Sequence, residues 1–219
     1  MKNIIKSGLK KIYNSVMYIP REVYRKKKRK ALKNTNFSII SSDCFGSFVY
    51  HTLGERFNTP TINLFFSQDD FLKFVLNLNG FLLSDLVEIK DSSVKYPVGQ
   101  LEYNNSSIRI DFMHYSSFEE AKTKWDERKK RVDFSNIYII QVIQSGLTQE
   151  YADLFSALPY KNKLLITHEN DIVCDCMVTH KVFNKRNYHA GDILRYKSLL
   201  SCKRHMDDID YVGFVSKSQ

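Results

Sequence analysis

The sequence predicts an α/β fold, with a mostly parallel or mixed sheet flanked by helices in a Rossmann-like three-layer arrangement and a basic amphipathic helix in front. Short apolar runs alternate with helical patterns, which is typical of strands joined by helices. Residues 137–143 are apolar and β-branched almost throughout, as in a central strand covered on both faces. No internal repeat or low-complexity linker divides residues 36–219, which are enough for one domain with a core.

The first residues differ in charge from the rest of the chain. Residues 1–33 contain twelve Lys or Arg and one Glu, a charge of +11, whereas all 219 residues together carry +9. Residues 34–219 are therefore at −2, which argues against a nucleic-acid-binding body, and we expect no nucleic-acid partner. We divide the chain into an arm, residues 1–35, and a single α/β domain, residues 36–219.

The arm has the pattern of an amphipathic helix followed by six consecutive bases at 25–30. Lysines interrupt apolar residues that recur at helical spacing: Ile4, Ile5, Leu9, Ile12, Tyr13, Val16 and Met17. This pattern predicts that residues 1–33 bind an anionic membrane surface, with a packing helix and a nucleic-acid tether as alternatives. Without a secretory signal or an apolar run of spanning length, we expect a cytoplasmic protein, peripheral at the inner face of the cell membrane.

Strands are predicted where short apolar or alternating runs are bounded by turn residues. Along the domain they are residues 37–40, 62–66, 86–89, 98–103, 107–112, 137–143, 163–167, 172–173 and 211–215. The Asn104-Asn105 pair joins two of these runs into a predicted hairpin. The run at 137–143 should lie at the centre of the sheet.

Helices are predicted where a capping residue precedes apolar residues at helical spacing. The first helix follows the turn at 41–47, and the last covers residues 193–200. Three others begin after Ser67, Ser117 and Thr148. Asn79-Gly80 should end the helix after Ser67. The third helix of the domain begins with Ser116-Ser117 followed by Glu119-Glu120, the signature of a capping box.

The stretch 96–131 holds most of the candidate site residues. Its last predicted strand includes Asp111, and His114-Tyr115 follows beside the start of the third helix. In that helix three large side chains lie three residues apart, so that they share one face: Trp125, Arg128 and Arg131. A Trp surface, two guanidinium groups and helix amides would suit a phosphate or carboxylate. The alternative is a solvated basic helix with an interfacial Trp.

A second candidate place is the polar turn between the first strand and its helix. It contains Ser41, Ser42 and Asp43, and the amides of such a turn can receive a phosphate, although ordinary N-capping is an equal alternative. Neither a dinucleotide fingerprint nor a P-loop is present, and no cofactor is predicted. Cys44 is a nucleophile candidate with His51 as its base, against the alternative of a small buried hydrophobe.

Four residues near the C-terminus raise the alternative of a zinc site. Cys174 and Cys176, with Cys202 and His205, could supply four ligands, but structural sites prefer a wider spacing between paired cysteines. We therefore predict no metal.

Two groups of short motifs occur in order along the domain. The first comprises residues 38–46, Leu53-Gly54, 59–64 and 71–74; the second comprises 96–99, His114-Tyr115, 119–121, Trp125, Arg128 and Arg131. Together they resemble the bacterial domain-of-unknown-function family 1919, over residues 36–167 and more weakly 210–212. The resemblance implies an exopolysaccharide biosynthesis protein encoded among surface-polysaccharide genes, and it implies no catalytic assignment.

From this resemblance and the arm we expect a glycosyltransferase-like enzyme in capsule, exopolysaccharide or lipopolysaccharide biosynthesis at the cytoplasmic membrane surface. A non-catalytic scaffold or glycan-lipid-binding protein of the same pathway is the alternative. The expected partners are an activated sugar donor and a lipid-linked or glycan acceptor. The acceptor hydroxyl needs a base, for which His114, Asp111 and Asp43 are the candidates. The predicted substrate-binding residues are Ser41, Ser42, Tyr115, Trp125, Arg128 and Arg131.

Overall fold

The computed structural model describes residues 2–184 and 191–217, with only the backbone described at residues 2–12, 14 and 184. The helices α1 to α7 are Lys2–Ala31, Phe45–Leu53, Gln68–Leu76, Leu78–Leu83, Phe118–Lys129, Gln149–Ser156 and Tyr211–Val215. The strands β1 to β7 are Ser38–Ser41, Val87–Ile89, Val98–Tyr103, Ser106–Asp111, Ile137–Val142, Asn162–Thr167 and Met177–Thr179. Short 3-10 helices occur at Lys181–Asn184, Asp192–Leu194 and His205–Asp208.

The strands form two sheets, so that the predicted α/β class with parallel and mixed pairing is confirmed. Four strands pair in parallel in the order β1-β5-β6-β7, and three pair antiparallel in the order β2-β3-β4. In the parallel sheet Ser41 lies beside Ile140, and Val142 lies beside Ile166. The carboxyl ends of β1, β5 and β6 therefore meet at one edge.

The parallel sheet lies between two hydrophobic cores. Along β5, Ile137 and Ile139 face one core, whereas Tyr138 and Ile140 face the other. The first core includes side chains of α3 to α6 and of the antiparallel sheet, and the second includes those of α2 and α7. Every residue of β5 is buried, which confirms the predicted central strand.

Local sequence signals explain most of the helix and turn positions. The hydroxyls of Ser67, Ser117 and Thr148 accept hydrogen bonds from amides three residues further on, as N-caps do. The β3–β4 hairpin turns at Asn104 and Asn105, whose φ angles of 48° and 58° asparagine tolerates better than most residues.

The second half of α1 packs against the domain. Lys28 forms an ion pair with Asp207 at 2.9 Å, and Arg29 donates to the Thr52 carbonyl at 3.2 Å. The opposite face of the helix is exposed at Val16, Ile19, Val23, Lys26, Lys27 and Lys30. No helix in the described part of the chain is long and apolar enough to cross a membrane.

Two predictions near the start of the domain were wrong. Residues 62–66 do not form a strand, because Asn63 has a left-handed φ of 61° and only Phe65 forms a bridge, with Asp111. Gly80 does not end a helix but lies inside α4, where the ring of Tyr103 leaves no room for a Cβ atom.

Three predictions in the last third of the domain were also wrong. Residues 172–173 are irregular, and the strand beside β6 is β7 instead. Only Asp192–Leu194 of the predicted helix 193–200 is helical, and the chain there bridges Tyr196 to Arg204. Residues 211–215 form α7 rather than a strand, because Asp210 accepts a hydrogen bond from the Gly213 amide and caps a helix. A five-residue apolar run does not by itself distinguish the two.

Candidate functional site

The carboxyl edge of the parallel sheet positions the turn after β1. The Ser42 hydroxyl accepts a hydrogen bond from the Val142 amide at 3.2 Å and ties this turn to the end of β5. The helix α2, which follows this turn, packs on one face of the sheet, and α6, which follows β5, packs on the other. Ligands of open α/β sheets bind outside the carboxyl ends of the strands.

A large cavity, here called the apolar groove, opens at this edge and has a volume of about 1010 Å³. Its walls come from α1, the turn after β1, residues 63–65, residues 113–114 and the loop 191–204. Among its apolar side chains are Phe48, Leu64, Phe65, Met113 and Leu194. It is also lined by one histidine and four charged side chains, His114, Arg21, Asp43, Arg195 and Arg204, so two of the three predicted base candidates line one cavity.

Asp43 is the group in this cavity whose environment suits proton transfer. Its carboxylate accepts a hydrogen bond from the Phe45 amide at 2.9 Å. Burial raises its pKa from 3.8 to about 6, against the opposing effect of hydrogen bonds from Phe45 and Ser41. At neutral pH the group is therefore an ionised carboxylate with increased basicity, which is the property of a general base.

The structure argues against Cys44 as a nucleophile. Burial and the neighbouring Asp43 charge raise the pKa of its thiol to about 12. His51, its predicted base, is exposed and packs edge-on against Phe57, outside the apolar groove. A thiol with so high a pKa stays protonated at neutral pH.

Asp111 lies in a neighbouring cavity of about 350 Å³, here called the polar groove. This groove is lined by hydroxyl and amide side chains that include Ser42 and Gln141, and it shares Phe65 and Met113 with the apolar groove. The Asp111 carboxylate accepts a hydrogen bond from Arg109 at 2.9 Å. The predicted trio is thus divided between two adjacent grooves.

Arg128 and Arg131 line a third cavity, the Arg128 pocket, of about 380 Å³. Arg128 donates to the Tyr115 hydroxyl at 2.8 Å and lies over the ring of Phe57. Arg131 donates to the Phe57 carbonyl at 3.3 Å. These arginines do not share a cavity with Asp43 or His114.

Trp125 and Ser41, two of the predicted substrate-binding residues, are buried and make their contacts within the fold. Trp125 is 1 % exposed and packs against Phe74 and Phe112, so its ring has no open face for a ligand. Ser41 is buried, and its hydroxyl accepts a hydrogen bond from the Gly46 amide at 3.3 Å. Together with Asp43 it caps α2, and this occupies two of the amides that an anion would need.

An aromatic and arginine cluster that the sequence did not single out separates the apolar groove from a smaller cavity. Arg21 and Arg204 both lie against the ring of Tyr196, at 3.5 and 4.1 Å from its centroid. The three side chains also line a cavity of about 260 Å³, here called the Arg204 pocket, together with Arg25. The charge pattern of the sequence places Arg21 in the arm, and the sequence predicts a helix around residue 196, so it does not bring these residues together.

The residues considered for zinc are not gathered into one site. The sulfur atoms of Cys174 and Cys176 are 3.1 Å apart, whereas Cys202 lines the Arg204 pocket. Within residues 2–184 and 191–217, no group of three or more His, Cys, Asp or Glu side chains could hold a metal ion.

Comparison with known proteins places most of the chain in one family. The model of the domain of unknown function DUF1919 matches residues 15–216. An uncharacterised protein from Haemophilus influenzae is 34 % identical over 212 residues, which cover 97 % of this chain and 96 % of that protein. The match includes the second half of α1, β1 to β7 and the loop 191–204.

Proposed function

The chain belongs to the DUF1919 family of domains of unknown function, and we propose that it is a glycosyltransferase-like enzyme of bacterial surface-polysaccharide biosynthesis. We propose further that it works at the cytoplasmic membrane surface. The observation on which the proposal rests is that Asp43 and His114 line one large cavity at the carboxyl edge of the parallel sheet.

The proposed reaction uses the two adjacent grooves. The sugar of an activated donor would occupy the polar groove, where carboxylate, amide and hydroxyl groups can bind its hydroxyls. The acceptor would enter the apolar groove, and Asp43 would take the proton of its hydroxyl as the new bond forms to the anomeric carbon. The bond from that carbon to the donor phosphate breaks, and the phosphate leaves with the electron pair. His114 is the second candidate for the proton transfer.

The exposed face of α1 supports a membrane location. Its first part presents apolar Val16, Ile19 and Val23, and its second part presents Lys26 and Lys27 with Lys30. Apolar side chains beside lysines suit the headgroup region of an anionic bilayer. The bases on the other side of the helix, such as Lys28, are engaged with the domain.

A glycan-lipid-binding protein without catalytic activity is the second candidate. The observation in its favour is that Asp111 and Arg128 lie in cavities other than that of Asp43. Such a protein would use the apolar groove for binding and would transfer no sugar.

The test is a thermal-shift screen of the full-length protein against nucleotide sugars and nucleotides. A donor at about 100 times its dissociation constant adds about 2.7 kcal/mol to the free energy of unfolding, which raises the Tm of a chain of this size by about 5–10 °C. A shift with a nucleotide sugar supports the transferase. No shift with any donor would contradict it and favour the binding protein.

A further inference from the structure

Two guanidinium groups, the buried one of Arg21 and the partly buried one of Arg204, occupy one end of the apolar groove. Arg21 is only 7 % exposed, and it donates to the carbonyls of Leu199 at 3.2 Å and Ser201 at 3.3 Å. Arg204 lies over Phe48 and donates to the Leu194 carbonyl. Both therefore bind carbonyl oxygens and aromatic faces, which do not neutralise a positive charge.

Neither arginine forms an ion pair with a carboxylate of the described residues. Among the described residues no carboxylate lies within 4.0 Å of the guanidinium nitrogens of Arg21 or Arg204. The rest of the chain contains no Asp or Glu that could supply one. Asp207 also lines the Arg204 pocket and attracts the Arg204 charge from beyond ion-pair distance. Its carboxylate is paired with Lys28 and accepts hydrogen bonds from the Tyr211 hydroxyl and the Arg204 amide.

Two charges of one sign that lie side by side, one buried and one partly buried, indicate a site for an anion. Burying a cation without a counter-ion is costly, and the cost is recovered when an anion binds. The planar fork of a guanidinium group matches the oxygens of a phosphate, which can bind to both arginines at once.

The same two arginines connect cavities of different character. They line the Arg204 pocket of about 260 Å³, which suits a phosphate, and the apolar groove of about 1010 Å³. The groove has the volume of a site for a whole ligand, and its walls are mainly apolar. A ligand that fills both cavities has an anionic end and a long apolar part.

The rim of the groove is apolar as well. Leu199 lines the groove and is 74 % exposed, and Leu200 beside it is 78 % exposed. Arg21 holds this loop to α1 through its two carbonyl contacts. An exposed pair of leucines next to the membrane-facing helix would let a lipid chain pass from a bilayer into the groove.

We propose that the apolar groove and the Arg204 pocket bind a lipid phosphate with one long apolar chain, the chain in the groove and the phosphate on Arg21 and Arg204. This inference rests on the proposed function, because it names the acceptor class of the transferase. Because Arg21 and Arg204 line both cavities, the phosphate would lie at the end of the apolar groove that Asp43 also lines, and the P–OH of its monoanion would be the acceptor hydroxyl from which Asp43 takes the proton.

The experiment is calorimetric titration of the full-length protein with farnesyl monophosphate below its micelle concentration. We expect farnesol and inorganic phosphate each to bind at least tenfold more weakly, because each lacks one half of the ligand. Geranyl monophosphate, which is one isoprene unit shorter, should bind at least tenfold more weakly, since less apolar surface is buried. Equal affinity for farnesyl monophosphate and farnesol would overturn the proposal.

Two variants test the arginines. Arg204→Gln should weaken farnesyl monophosphate binding at least tenfold and leave farnesol binding unchanged. Arg56→Gln is the matched control, because Arg56 is exposed and lines neither cavity, and it should bind as the native protein does. Unchanged binding in a folded Arg204→Gln variant would overturn the phosphate site. If this variant does not fold, the affinities of the native protein for farnesyl monophosphate, farnesol and geranyl monophosphate still test the proposal.

The outcomes separate this inference from the proposed function. Binding of the lipid phosphate without any shift by nucleotide sugars would support the inference and contradict the transferase. A shift by a nucleotide sugar without lipid-phosphate binding would support the transferase and overturn the inference.

Discussion

Replacing Asp43 by Asn should stabilise the protein at neutral pH. Burial raises the pKa of this carboxyl group from 3.8 to about 6, so the folded protein holds a proton that the unfolded chain has released between these values. Stability therefore falls as the pH rises through this window, and the loss is complete and constant above it. Asn carries no charge and avoids the loss.

The size of the effect follows from the same two values. Their difference, at 1.36 kcal/mol per pH unit, gives an upper bound of about 3 kcal/mol. The variant loses the favourable interaction of a carboxylate with the first turn of α2, about 0.3–1 kcal/mol. Its amide oxygen can still accept from the Phe45 amide. Since Asp43 is only half-buried, we expect a net gain of about 1–2 kcal/mol.

The assay is thermal unfolding of the native protein and the Asp43→Asn variant between pH 4 and pH 8. We expect the Tm of the variant to exceed that of the native protein by about 3–6 °C at pH 7.5, and the difference to shrink as the pH approaches 4. Asp85→Asn, at an exposed position, is the control and should shift the Tm little. A Tm difference that is independent of pH would refute the claim that burial raises the pKa of Asp43.

Three further predictions address the arm, the core and the Arg128 pocket. Changing Lys26, Lys27 and Lys30 to Gln should weaken co-sedimentation with phosphatidylserine vesicles about 100-fold, at about 1 kcal/mol per charge, and unchanged binding would contradict the membrane-facing surface. Trp125→Phe should lower the free energy of unfolding by about 1–2 kcal/mol, measured with denaturant, and leave donor shifts unchanged; a lost donor shift would make Trp125 a ligand contact. Arg128→Gln should leave nucleotide-sugar binding unchanged in a titration and shift the Tm by only a few degrees, because the Arg128 pocket is separate from the polar groove; weakened binding would place Arg128 in the donor site.

Much of the fold could be predicted because local signals and packing agree. The caps at Ser67 and Thr148, the asparagine turn of the hairpin and the mainly apolar β5 each have a cause within a few residues. The wrong predictions lie where short apolar runs are buried without regular pairing. In residues 62–66, alternating side chains enter the cores although Asn63 breaks the extended backbone.

The candidate site could be predicted only in part. The turn with Asp43 follows a recognisable strand, and His114 follows a recognisable hairpin, so the sequence alone singles out both as candidates. The meeting of Arg21 with Arg204 depends on the packing of α1 against an irregular loop far along the chain, for which no periodic signal exists. Helical spacing grouped Trp125 with Arg128, but the indole is buried in the core whereas the guanidinium lines a pocket.

The most direct test of the central claim is transfer of a labelled sugar by the full-length protein from the nucleotide sugar that raises its Tm to farnesyl monophosphate. We predict a labelled lipid product whose rate of formation falls by about 10²- to 10⁴-fold in the Asp43→Asn variant, the usual contribution of a general base. Product formed equally fast by the variant would contradict the role of Asp43. No product from a donor and an acceptor that both bind would contradict the transferase itself.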